Sequence, residues 1–158
     1  MPNPILSLKV HVPQSIEPGV WTVVRFPYDG ESYDPFGMHE RLDPLGYEVR
    51  DWQRDDRSGL IWPTVDGWGT VHAMVQWEPG DYRELRDQLI RDPLNLSTGP
   101  DTTATDHRPP SPGMQCFTKT WGLFVHPKTP LALRVAHDDD QPRLVTLAEL
   151  KLEIREGA

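Results

Sequence analysis

Near the middle of the sequence, a stretch of strictly alternating side chains restricts the chain to an extended conformation. Its four apolar residues are separated by polar or flexible ones, Val71, Ala73, Val75 and Trp77 against Thr70, His72, Met74 and Gln76. A period of two is typical of a strand that buries one face. The turn dipeptides Asp66-Gly67 and Pro79-Gly80 bound this strand on either side.

Similar patterns along the rest of the sequence predict an all-β chain. Strands are predicted at 5–12, 20–26, 60–64, 68–77, 114–125, 131–137 and 144–154. The 17 prolines agree with this prediction, because proline breaks helices and is found at strand edges and in loops. We expect the core to be formed by Leu8, Val10, Trp21, Val23, Val71, Val75, Leu133, Val135, Leu152 and Ile154.

Two segments, 38–59 and 92–113, have no clear hydrophobic period and are rich in polar residues. Loops of this length are uncommon in compact domains and are usually functional or disordered. We therefore predict two long surface loops. Between them, residues 81–91 are ambiguous, because Tyr82, Leu85 and Leu89 fit a helical stripe but the segment also suits a strand.

The composition restricts the classes of partner. The net charge of −8 disfavours nucleic acid and anionic membranes, since both require a basic surface. There is no N-terminal segment typical of a signal peptide and no apolar run of membrane-spanning length. Cys116 is the only cysteine, so an intrachain disulfide is excluded.

Motifs for catalysis or metal binding are missing from the sequence. The six histidines include no His-x-His pair, which metal sites in jelly-roll enzymes use, and the run Asp138 to Asp140 is better explained as a solvated hairpin tip than as a calcium site. No nucleophile motif, phosphate-binding glycine loop or dinucleotide fingerprint is present. We expect no enzymatic activity, no bound metal and no cofactor.

Four segments together resemble the tumour-necrosis-factor-like (TNF-like) superfamily, specifically its complement-type globular head. They are VHVPQSIEPGVWTVVRF, ESYDPFGM, TVDGWGTVHAMVQW and the closing pair LALRV and LKLEI. The resemblance implies one TNF-like jelly-roll domain over 1–158, with two antiparallel sheets, two long loops and a short N-terminal arm at 1–7. It also implies a homotrimer and favours a strand at 81–91, because tertiary context overrides helical propensity.

Members of this family usually carry a stalk before the head, whereas the first predicted strand here begins close to Met1. A bare head is similar to those of tailed-bacteriophage virions. This likeness implies a non-enzymatic virion structural protein, made in the host cytoplasm without a signal peptide and located at the virion surface. The leading expectation is a capsid decoration protein (minor capsid protein) that binds the major capsid protein. The alternative is a minor tail or tail-fibre-tip protein that binds a host receptor or glycan, and an enzyme on a jelly-roll scaffold is a distant third.

Two sets of residues are expected to make these contacts. Polar or mixed faces of predicted strands give a candidate trimer interface, consisting of His72, Met74, Gln76, Arg134, Ala136, Lys151 and Glu153. The N-terminal arm and the two long loops are expected to dock on the rest of the particle. Their apolar residues without an evident core partner are the expected anchors, namely Tyr47, Trp52, Leu94 and Leu96.

Overall fold

A computed structural model describes residues 2–30 and 32–156, and the regular secondary structure of these residues is almost entirely strand. The strands are β1 (Ile5–Val10), β2 (Gln14–Ile16), β3 (Thr22–Val23), β4 (Gly67–Trp77), β5 (Leu85–Arg91), β6 (Asp101–Arg108), β7 (Gln115–Val125), β8 (Leu131–His137) and β9 (Arg143–Glu156). A single turn of 3₁₀ helix, Asp56–Gly59, precedes β4. The all-β prediction is confirmed, and 81–91 contains strand β5 rather than a helix.

Two antiparallel sheets pack face to face. The front sheet has the order β1-β9-β4-β7, with β2 also paired to β9, and the back sheet has the order β3-β8-β5-β6. From β4 onward the chain passes from the front sheet to the back sheet and returns twice, as in a jelly roll. This topology confirms the predicted jelly-roll sandwich.

The inward faces of the two sheets form the main core. Nine of the ten predicted core residues are buried, but only eight of them belong to this core, including Leu133 at 1% exposure and Val75 at 2%. The ninth, Val23, is buried in the second cluster described below. Trp21 is the exception, because its ring is half-buried and lies 5.4 Å from the Arg134 guanidinium carbon. The alternation in the sequence therefore identified the inward positions of the long strands correctly.

A second apolar cluster covers part of the outer face of the back sheet. Ile90 and Ala132 are paired across β5 and β8, and the chain segment containing Leu60 and Trp62 packs over them. Leu94 and Leu96 are partly buried against the same cluster. The back sheet is thus covered on both sides in this region.

The prediction of a long loop at 92–113 is wrong, because this segment contains the eight-residue strand β6. β6 pairs with β5 from Arg91–Asp101 to Leu85–Arg108 and is the edge strand of its sheet. No residue of β6 is fully buried, so its sequence DTTATDHR lacks the apolar alternation that marks the other strands.

Residues 38–59 are irregular and mostly exposed, as predicted, but a few buried residues anchor the segment. Met38 and Val49 are buried, and the side chain of Asp43 accepts hydrogen bonds from the backbone N–H groups of Leu45 (2.9 Å) and Tyr47 (3.0 Å). At the start of the segment, the Asp34 carboxylate accepts from two further backbone N–H groups at 2.8 Å. Hydrogen bonds from backbone N–H groups to the carboxylates of Asp34 and Asp43 therefore take the place of regular backbone pairing here.

The free edge of β7 is partly closed by arginines from the other sheet. Arg108 donates through Nη2 to the Thr118 carbonyl oxygen (3.0 Å), and Arg91 donates through Nη2 to the Phe124 carbonyl oxygen (2.8 Å). Charged side chains on an exposed edge strand oppose pairing with the strand of another molecule.

Candidate functional site

The outer face of the front sheet is not covered by other parts of the described chain in the way that the back sheet is. Its side chains form five cross-strand rows on β4, β7 and β9, which are Trp68–Phe124–Arg155, Thr70–Gly122–Glu153, His72–Thr120–Lys151, Met74–Thr118–Glu149 and Gln76–Cys116–Leu147. We call these residues the front face.

An exposed aromatic pair occupies one end of the front face. Trp68 is 39% exposed and Phe124 is 60% exposed, and their rings meet edge to face with centroids 5.1 Å apart. A Cβ atom at Gly122 would lie 2.5 Å from Cζ2 of Trp68, so glycine is what allows the indole to rest on β7. The pair is therefore held in a defined position although it faces solvent.

Charges of opposite sign alternate along the middle of the front face. Glu149, Lys151, Glu153 and Arg155 all point outward from β9 and are about 7 Å apart along the strand. Beside them, Nδ1 of His72 lies 3.0 Å from Oγ1 of Thr120. The face combines an aromatic end with a balanced charged centre, which suits binding to a protein surface of matching pattern.

Five of the seven residues predicted for the trimer interface lie on the front face, namely His72, Met74, Gln76, Lys151 and Glu153. Arg134 and Ala136 are on β8 in the back sheet, and Ala136 is only 2% exposed. These two residues cannot share a surface with the other five. Strand alternation alone does not say which sheet a strand joins, so the sequence could not separate the two groups.

The four predicted docking residues have more internal contacts than the sequence suggested. Trp52 packs against the main core, and Leu94 and Leu96 pack against the second cluster, so these three do have core partners. Tyr47 remains 41% exposed, with its hydroxyl donating to Asp55 (2.7 Å) and Arg57 over its ring at 3.9 Å. In the predicted N-terminal arm, residues 5–7 belong to β1, and Met1 lies outside the described residues.

The described residues, 2–30 and 32–156, contain no group of three or more His, Cys, Asp or Glu side chains that could hold a metal ion. Asp138 accepts hydrogen bonds from the backbone N–H groups of Arg83 and Glu84, both at 2.8 Å. Asp139 pairs with Arg143 at 2.7 Å. These carboxylates tie the β8–β9 turn to the chain before β5. No helix in this part of the chain is long and apolar enough to cross a membrane.

The sequence analysis missed an ionic cluster between the two sheets. Lys119 points inward from β7, where its ammonium contacts the carboxylates of Asp87 on β5 and Asp106 on β6. Hydrogen bonding to Lys119 lowers the pKa of the Asp106 carboxyl. In the alternation of β7, Lys119 falls on the same inward face as Leu123 and Val125. A charged residue among inward positions was the feature of the sequence that could have indicated a buried ion pair.

The chain topology and the uncovered front face together define a TNF-like jelly roll in which the outer face of the front sheet is exposed. Three solved structures show the same fold over almost the whole chain. Eiger TNF from S. frugiperda is 12% identical, with a TM-score of 0.63 and coverage of 100% of this chain and 96% of that one. The globular domain of zebrafish complement 1qA is 11% identical, with a TM-score of 0.59 and 99% coverage of both chains. Murine APRIL is 13% identical, with a TM-score of 0.57 and coverage of 97% and 99%.

At these identities the likeness defines the fold alone. No protein-family profile matches the sequence, and no curated protein matches it in sequence.

Proposed function

We propose that the protein is a non-enzymatic homotrimeric structural protein of a bacteriophage virion, where it decorates the capsid and bridges neighbouring subunits of the shell. The observation that supports self-association is the front face, because it combines an exposed aromatic pair with alternating charges. Large aromatic residues are enriched at the energetic centres of protein interfaces. The virion setting is supported by the resemblance of the sequence to the TNF-like heads of tailed-bacteriophage virion proteins.

The trimer uses the front face, with His72, Met74, Gln76, Lys151 and Glu153 near the threefold axis. A closed ring uses up this surface and leaves no open end for further growth. A protein that binds only the assembled shell stabilises that shell, which is the role expected of a decoration protein.

Light scattering at micromolar concentration tests the trimer. We expect three times the chain mass for the wild type and a smaller mass for Phe124→Glu, which places a charge in the aromatic end. Leu42→Glu is the matched control, because Leu42 is 61% exposed and lies outside the front face. A monomeric wild type would overturn the trimer.

The alternative is a minor tail protein that binds a host receptor or glycan. Tyr47 favours it, because an exposed aromatic ring held between Asp55 and Arg57 is a suitable platform for a sugar. Quantitative mass spectrometry of purified particles separates the two roles. A decoration protein is present in many copies, of the order of the number of capsid subunits, whereas a tail protein is present in only a few.

A further inference from the structure

The gap between the edge strands β6 and β7 contains a lysine that is enclosed by carboxylates of the opposite sheet. The Lys119 side chain is only 4% exposed. Its Nζ atom lies 2.9 Å from Oδ1 of Asp87 and in direct contact with Oδ2 of Asp106. An amine and two carboxylates are thus held together inside the β-sandwich, between the edge strands β6 and β7, which are not paired with each other.

Arg108 completes the cluster and contacts both carboxylates, Asp87 more closely than Asp106. Its Nε lies 3.0 Å from Oδ2 of Asp87 and its Nη2 lies 3.4 Å from Oδ1 of the same residue. The distance from Nη2 to Oδ2 of Asp106 is 3.5 Å. If Lys119 and Asp106 lost their charges together, Arg108 and Asp87 would still neutralise each other.

We propose that Lys119 and Asp106 condense to form an amide bond that links β7 of the front sheet covalently to β6 of the back sheet. Asp87 accepts a proton from the Lys119 ammonium, and the neutral Nζ attacks Cγ of Asp106. The bond between Cγ and one carboxylate oxygen then breaks. That oxygen leaves as water with two of the three ammonium protons, both passed through Asp87, and the third proton stays on the amide nitrogen. Ammonium plus carboxylate gives amide plus water, so no oxidant or other reactant is needed.

Three features of the site favour this reaction. First, folding holds the amine against the carboxylate, and such intramolecular positioning is equivalent to very high reactant concentrations. Second, Arg108 is placed to stabilise negative charge on the Asp106 oxygen as Nζ adds. Third, the Asp106 side chain is 49% exposed, which gives the released water a route to solvent.

The environment also favours the product over the ion pair. Lys119 is almost fully enclosed, and removing a charged ammonium from water carries a desolvation penalty. The amide is neutral and avoids this penalty. Arg108 and Asp87 keep their two contacts after the reaction, so no charge is left without a partner.

The intact mass of the denatured wild-type protein tests the proposal. We expect a mass lower than that of the sequence by one water. After cyanogen bromide cleavage at Met114, which lies between the two residues, the fragment 75–114 should stay joined to the fragment 115–158. Trypsin should fail to cut after Lys119, because the amide removes its positive charge. A wild-type mass equal to that of the sequence would overturn the proposal, whatever the variants do.

Three variants assign the bond, namely Lys119→Met, Asp106→Ala and Asp87→Asn. Each should recover the full sequence mass, and Asp87→Asn does so while keeping both bonded residues. Succinimide formation at Asp29-Gly30 or Asp66-Gly67 also releases water, but it leaves the peptides separate. A loss of water that maps to those sites, or that persists in Lys119→Met, contradicts the cross-link.

Discussion

Leu133, on the inward face of β8, is among the largest fully buried side chains of the sandwich. Truncation to alanine removes buried apolar volume that the neighbouring strands cannot fill. We expect Leu133→Ala to lower the free energy of unfolding by about 2–4 kcal/mol. Chemical denaturation measures this loss, with the exposed Leu42→Ala as the control that should leave stability nearly unchanged. An unaltered midpoint for Leu133→Ala would contradict its place in the core.

His39 makes stability dependent on pH. Burial lowers the pKa of His39 from 6.5, although a contact of 2.7 Å between Nε2 and the Ser58 carbonyl oxygen partly opposes this effect. The unfolded chain therefore takes up a proton at a higher pH than the folded chain. The contribution of neutral His39 to the free energy of unfolding is fully present above about pH 6.5. It is lost as the pH falls through the folded-state pKa of His39.

The His39→Gln variant tests this dependence. The glutamine side chain does not titrate, so the variant should lose less stability than the wild type between about pH 7.5 and about pH 5. Urea denaturation at the two pH values provides the comparison. Equal losses in both proteins would show that His39 does not contribute to the acid sensitivity.

At the scale of elements, strands with one apolar face could be predicted from the sequence and the others could not. β4 and β8 show clear alternation because one face of each fills the core. β6 is an edge strand without a fully buried residue, so its pairing with β5 depends on tertiary contacts that the sequence pattern does not record. The internal hydrogen bonds of the 38–59 segment were not visible for a related reason, since they join the Asp43 carboxylate to backbone N–H groups that meet it only in the folded chain.

Asp43 is the main support of the 38–59 segment. It holds two backbone N–H groups and pairs with Arg57 at 3.2 Å. We expect Asp43→Ala to accelerate tryptic cleavage after Arg41 and Arg50 by about tenfold or more, because hydrogen bonds to a charged group are each worth about 1.5–3 kcal/mol. Timed digestion followed by mass spectrometry measures the rates. Glu48→Ala removes the same charge from an exposed position nearby and should digest like the wild type.

At the scale of the whole molecule, the jelly roll was predicted from the resemblance of four segments, in their order along the chain, to TNF-like heads. The candidate surface was only partly predictable, because strand alternation places His72 and Arg134 on outward faces without saying that β4 and β8 lie in different sheets. The inward position of Lys119 could be recognised from the strand pattern, but its partners could not, because residues from β5, β6 and β7 meet only after both sheets have formed.

The proposed trimer predicts that stability depends on protein concentration. Because only the folded chain associates, dilution should lower the thermal midpoint of the wild type. Phe124→Glu should unfold at a midpoint that does not change with concentration. Scanning calorimetry of both proteins at concentrations that differ by about a hundredfold measures these midpoints. A wild-type midpoint that stays constant would contradict association through the front face.

Arg91 and Arg108 protect the edge strand β7 against pairing with another copy when molecules lie close together. An unprotected strand edge would allow neighbouring molecules to add to the sheet one after another, as in the growth of a fibril. With guanidinium groups on the Thr118 and Phe124 carbonyl oxygens, part of that edge is already occupied within each molecule. Copies that are packed densely on a common support can therefore touch side by side and still remain separate folded units.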